Sequence, residues 1–158
     1  MYMLLEAFST SIDYFTFWNL ALVALAPFLY ELIDIVATSF LVFVVSSYML
    51  FVEPGYFKAI QVHLPERVIQ EKRLEWGISL ACHVITHALP LLVVVVCFGS
   101  YYIAHGPFRS TLLHAILLAL AYIKLVDVDR PYDISTQHVA VVGTLAFTVY
   151  AVILASCG

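Results

Sequence analysis

Apolar positions run almost without a break from residue 14 to residue 52. A helix of that length would reach roughly 58 Å, about twice the hydrocarbon core of a bilayer. One straight span cannot use the whole run. Glu31 and Asp34 interrupt it and divide it into 14–30 and 35–52. The second piece is a good span. The first is short, and Pro27 would kink it, so it reads as a tilted span, a half-helix or an interfacial helix. Without a Gly-rich turn between the pieces, one continuous bent helix is also open. Further apolar runs cover 77–104, 111–126 and 139–157. The pattern predicts an all-α fold, a polytopic transmembrane helical bundle of four to five spans in a single integral membrane domain.

The polar positions fall between these runs. Glu53-Pro54-Gly55 is a turn signal that closes the span before it. Pro65 and Glu66 suit the first turn of a helix, and 65–75 is expected to be an amphipathic connector lying in the interface. Trp76 marks one membrane boundary of the next span, and Tyr101-Tyr102 the other, ahead of His105-Gly106-Pro107. Thr16, Asn19, Pro27, Glu31, Asp34 and Thr38 recur at steps that keep them near one face. Such a face turns away from lipid. Ala140, Gly143, Thr144 and Thr148 give the last span small residues at close-packing spacing, an ordinary feature of bundle packing.

Charge sets an orientation. If the spans alternate, Lys58, Arg67, Lys72, Arg73, Lys124 and Arg130 share one side, and Arg109 is the basic residue on the other. By the positive-inside rule the first group faces the cytoplasm or its equivalent. Lys124, Asp127, Asp129 and Arg130 read as a solvated ion-pair cluster at a span end.

Composition agrees: 63% of the 158 residues are hydrophobic and 11% charged, against about 45–50% and 25% in soluble domains. A net charge of −4 with seven basic residues leaves no nucleic-acid footprint. Cys82, Cys97 and Cys157 lie in or beside apolar runs and read as packing residues rather than a disulfide framework. The N-terminal residues show neither a secretory signal nor a transit peptide, and Asn19-Leu-Ala is no glycosylation sequon.

The candidate chemistry is histidine and carboxylate inside apolar runs. His83 and His87 are i and i+4 on one face. Counted from Trp76 they lie ~10 Å and ~16 Å deep, while His114, counted from Asp127, lies ~19 Å deep. His87 and His114 are therefore candidates to meet across neighbouring helices, with His83 and His138 as the alternative pair. Such pairs can ligate a b-type haem or hydrogen-bond a quinone headgroup. They can equally bond backbone carbonyls or hydroxyls such as Thr86 and Ser79, or serve a metal or a proton. Glu31 and Asp34 form an acidic i, i+3 pair. It is either a helix boundary at the headgroups or, with His105 or His114, a metal or proton site. Were both carboxyls buried together, one would be protonated.

No phosphate loop, nucleophile elbow, zinc-protease helix or channel filter is present. The expectation is an integral membrane subunit with a structural or assembly role in a larger complex. It is not catalytic by itself, and is embedded among structural lipids and other subunits. The expected setting is a bioenergetic, electron-transport type assembly, as in the mitochondrial inner membrane. A redox-active anchor binding haem b or quinone through His87, His114 or His83 is the first alternative. A small proton or metal pathway lined by Glu31, Asp34 and His87 is the second.

Overall fold

The computed structural model describes residues 15–52, 80–81, 83–107, 109–125 and 136–157. Among them every regular element is helical: α1 (Phe15–Ala24), α2 (Ala26–Leu29), α3 (Ile35–Val52), a π-helical turn (Val84–Ala88) that continues into α4 (Leu89–His105), α5 (Ser110–Leu125) and α6 (Thr136–Cys157). The expected connector at 65–75, the boundary at Trp76, and Asp127, Asp129 and Arg130 lie outside the described residues.

The run 14–30 is not one helix. α1 closes at Ala24, and Leu25, at φ −93° and ψ 4°, leaves the helical path before α2 restarts with Pro27 in its first turn. Proline has no N–H to give, and its ring would strike the carbonyl four residues back, at Val23. A turn over residues 30–34 then separates α2 from α3, which removes the continuous bent helix. α3 begins at Ile35, where the two acidic residues had divided the run.

α3 is the centre of the bundle, packing on α1, α4, α5 and α6. At one end, Ile35, Val36 and Ala37 pack with Val94, Tyr102, Leu112, Ala115, Tyr150 and Leu154. Toward the other, Leu41 and Val42 pack with Phe15, Ala119, Tyr122 and Ala146. The N-terminus of α3 thus meets the C-terminal parts of α4 and α6 and the N-terminus of α5, so successive long helices run antiparallel. α3 and α5 both end far from Asp34, at Val52 and Leu125. Gly143 of α6 faces Leu41, where an added Cβ would sit 3.4 Å from its Cδ1. Thr144 and Thr148 instead face outward and donate to the carbonyls of Ala140 and Thr144. The small-residue stripe therefore serves packing on one edge only.

Two helical stretches, Val84–His105 and Gln137–Cys157, are long and apolar enough to cross a membrane. Only 17% of the most apolar window of each is buried, unlike the core helix of a soluble fold. α1, α5 and residues 35–48 of α3 are apolar but shorter; α5, with 16 residues, measures about 24 Å. Large aliphatic side chains cover the outside: Leu92, Val93 and Val96 on α4, Leu113, Leu117 and Leu120 on α5, and Val141, Leu145, Val149 and Val152 on α6. Patches of this extent mark a surface that meets lipid or partners.

Candidate functional site

Polar side chains gather in two places inside this apolar bundle. The first is built on Asp34, which is fully buried at the head of α3. Its Oδ1 accepts the Ala37 amide at 2.9 Å, the geometry of a helix N-cap. Its backbone amide donates to the Thr111 carbonyl at 3.0 Å, tying α3 to the first turn of α5. Arg109 donates through Nη2 to Oδ2 at 3.0 Å. The Tyr150 hydroxyl lies 3.1 Å from both carboxyl oxygens and donates between them. The three partners of the carboxyl oxygens, Ala37 N–H, Arg109 and Tyr150, are all donors, as a carboxylate requires. Burial pushes the Asp34 carboxyl above its ordinary pKa, while the Ala37 amide, Arg109 and Tyr150 pull it back.

Arg109 is held just as closely. Its Nη1 donates to the Tyr102 carbonyl at 2.6 Å, and its guanidinium carbon sits 4.5 Å from the centre of the Tyr102 ring. The Tyr102 hydroxyl accepts the Ile35 amide at 3.2 Å and lies 2.9 Å from the carbonyls of both Tyr30 and Ile33, sharing its proton between them. Four segments are thereby fixed at one end of the bundle: the 30–34 turn, the end of α4, the start of α5, and α6.

Glu31 does not join this cluster. It is exposed and accepts the Tyr30 hydroxyl at 3.0 Å. The acidic pair expected from the spacing is therefore not one site. Glu31 marks the helix boundary, and Asp34 has an arginine in place of a second carboxylate, so no shared proton is required. The polar face read from the sequence divides the same way. Asn19, Asp34 and Thr38 are buried and Thr16 half-buried, while Pro27 and Glu31 are exposed. Inside, Ser39 donates to Asn19 Oδ1 at 3.2 Å, joining α1 to α3.

The second place is the π-helical turn. Leu89 donates to the Val84 carbonyl, five residues back, and Pro90 follows at the head of α4. The wider turn eases the clash that Pro90 would cause in an unbroken α-helix. His83 and His87 are buried here, with ring centres 5.0 Å apart and planes at 27°. The Nδ1–H of His87 lies between the Thr86 hydroxyl at 2.7 Å and the His83 carbonyl at 3.3 Å. That assigns the tautomer and leaves Nε2 to accept from the Thr16 hydroxyl of α1 at 3.0 Å. His83 Nε2 lies 3.1 Å from the Ser47 hydroxyl of α3. Its Nδ1 is buried without a hydrogen-bond partner.

The structure brings His83 and His87 together and leaves His114 apart. His114 bonds the Leu32 carbonyl through Nδ1 at 2.6 Å, at the Asp34 end. His87 is level with Thr16, whose neighbour Phe15 lies against Tyr122 of α5 at 4.8 Å between ring centres. Tyr122 is eight residues beyond His114, about 12 Å along the helix. His87 and His114 therefore do not lie level, contrary to the depth count from the sequence. His105 is exposed and bonds the Tyr101 carbonyl, and His138 lies exposed on the first turn of α6. Cys97 and Cys157 are free thiols. Among the described residues no three His, Cys, Asp or Glu side chains are grouped to hold a metal. A groove of about 250 Å³ lies between α1 and α5, lined by Phe17, Trp18, Ala21, Leu22 and Leu118, and carries no polar side chain.

Comparison with protein-family models, with curated proteins and with solved structures finds no match.

Proposed function

We propose that this chain is an integral membrane subunit, a bundle of four or five spans with a structural role in a larger membrane assembly of the bioenergetic, electron-transport kind. The observation that carries the reading is the distribution of side chains. The Asp34–Arg109 pair and its tyrosines are enclosed between the helices at one end of the bundle, while α4, α5 and α6 present aliphatic side chains to their surroundings. A buried charge pair bonded through both carboxyl oxygens of Asp34 and both terminal nitrogens of Arg109, with Arg109 Nε left without a partner, supports a fixed seating of the helices. The outer surface is then free to meet lipid and neighbouring subunits. α5, at about 24 Å, crosses a hydrocarbon core with its interfacial ends drawn in or the bilayer locally thinned.

The test is gentle extraction from the native membrane, mass spectrometry of what co-elutes, and an absorption spectrum. Partners in fixed proportion to this chain, without a chromophore, are the expected result, and their identity tells whether the assembly transports electrons. A monodisperse chain that carries only lipid would overturn the assembly role. A reducible haem band stoichiometric with the chain would replace it with the redox anchor.

A further inference from the structure

The outer surface of the bundle is notched between α1 and α5. Phe17, Trp18, Ala21 and Leu22 form one wall and Leu118 the other, around a volume of about 250 Å³. Ala21, exposed on α1, supplies only a methyl group where its neighbours carry large side chains. The two ends of the notch differ. Trp18 meets Tyr122 of α5 edge-on, with ring centres 5.6 Å apart and planes at 74°. Leu22 lies one turn beyond Trp18, and Leu118 one turn before Tyr122, so each is about 6 Å away along its helix. α1 starts beside Tyr122, while the turn after α2 meets Thr111 at the head of α5, so the two helices run antiparallel. Both leucines therefore lie toward the Asp34 end, in the apolar interior of the span, and the aromatic rim faces the C-terminal end of α5. Lys124 is exposed in that last turn, two residues past Tyr122. Its stem is long enough to lift the ammonium to a membrane interface.

Cation, aromatic rim and apolar floor succeed one another as phosphate, ester region and acyl chain do in a phospholipid. Tryptophan and tyrosine favour the headgroup level. An α-helix from another subunit, about 10–12 Å across, is too wide for the notch, whereas a cavity of about 150 Å³ already holds benzene. A volume of about 250 Å³ takes a stretch of roughly ten chain carbons on that scale. We propose that the notch holds one acyl chain of a zwitterionic phospholipid, with its phosphate on Lys124. The sequence balances Lys124 and Arg130 against Asp127 and Asp129, so this end has no surplus of positive charge for an acidic headgroup. The acyl chain gains little from apolar burial alone, since neighbouring lipid is as apolar. Selectivity comes from shape, at Ala21, and from the phosphate, at Lys124. A lipid so held closes the surface between α1 and α5.

The experiment uses the full chain in detergent micelles with Trp76→Phe, which leaves Trp18 as its sole tryptophan. Phosphatidylcholine brominated along its acyl chains is the probe, read by quenching of Trp18 fluorescence. Saturation at one lipid per chain is expected. Ala21→Leu fills the notch and should abolish the saturable quench. Lys124→Gln should weaken it about two- to fivefold, the scale of one exposed charge contact. Brominated diacylglycerol, which lacks the phosphate, should bind equally with and without Lys124→Gln. Quenching that only tracks total lipid, that survives Ala21→Leu, or that Lys124→Gln leaves unchanged, overturns the site. So does the absence of quenching, as when a partner subunit or another part of the chain covers the notch. If Ala21→Leu loses helicity by circular dichroism, phosphorus per native chain after exhaustive detergent exchange decides. One phospholipid supports the site; none refutes it. The site rests on the bundle lying in a membrane, not on the assembly role, and sided labelling of α5 tests that reading by itself.

Discussion

Asp34 shows how much one residue can organise. Its carboxylate caps α3, neutralises Arg109 and accepts from Tyr150, while its amide anchors α5. Removing one partner of a buried pair strands the other, which typically costs about 3–5 kcal/mol. Asp34→Leu is therefore expected to destabilise the bundle on that scale in a detergent unfolding titration. Adding Arg109→Leu should recover part of the loss, since an apolar pair leaves no buried charge. A double variant as unstable as the sum of the singles would show that the two side chains do not act as a pair. Asp34 was legible as a dividing residue because a carboxylate inside an apolar run must be satisfied. Its partner was not. Arg109 lies 75 positions away and read only as a lone charge on the far side.

The elements differ in how plainly they declare themselves. α3 begins where the charges ended the previous run, and α6 follows its apolar segment closely, since length and hydropathy alone decide such helices. The break after Ala24 was half visible, through Pro27. The π-helical turn was not visible, because it answers to Pro90 and to packing at once. Gly106 is a local device of the same kind. It closes α4 at φ 69° and ψ −177°, a region essentially reserved for glycine, and thereby aims the following residues so that Arg109 returns to Tyr102 and Asp34. An added Cβ would meet nothing within 4 Å there, so Gly106→Ala isolates backbone strain. It should cost roughly 1–3 kcal/mol in thermal unfolding. Gly99→Ala, within α4, is the control: its Cβ would meet Val95 Cγ1 at an ordinary 3.6 Å, and greater helix propensity should leave stability equal or improved.

For the whole molecule, the apolar pattern conveyed the character of the surface but not the arrangement of the helices. Spacing along one helix is encoded locally, whereas helix order depends on which faces fit. His83 with His87 was therefore readable, and His87 with His114 was a misjudged level. The four- to five-span reading has a direct test in α5, whose exposed ends are Ser110 and Lys124. In a chain freed of native cysteines, Ser110→Cys and Lys124→Cys should react with a membrane-impermeant maleimide from opposite sides of sealed vesicles. Labelling from one side only would mean that α5 does not cross.

The Asp34–Arg109 pair also bears on biogenesis. If α4 and α5 cross a bilayer as proposed above, Arg109 is carried across with their hairpin. Its guanidinium is neutralised only once the head of α3 is already there to receive it. On that reading the head of α3 is the dock that the α4–α5 hairpin needs, and the ion pair holds the hairpin there once it has arrived.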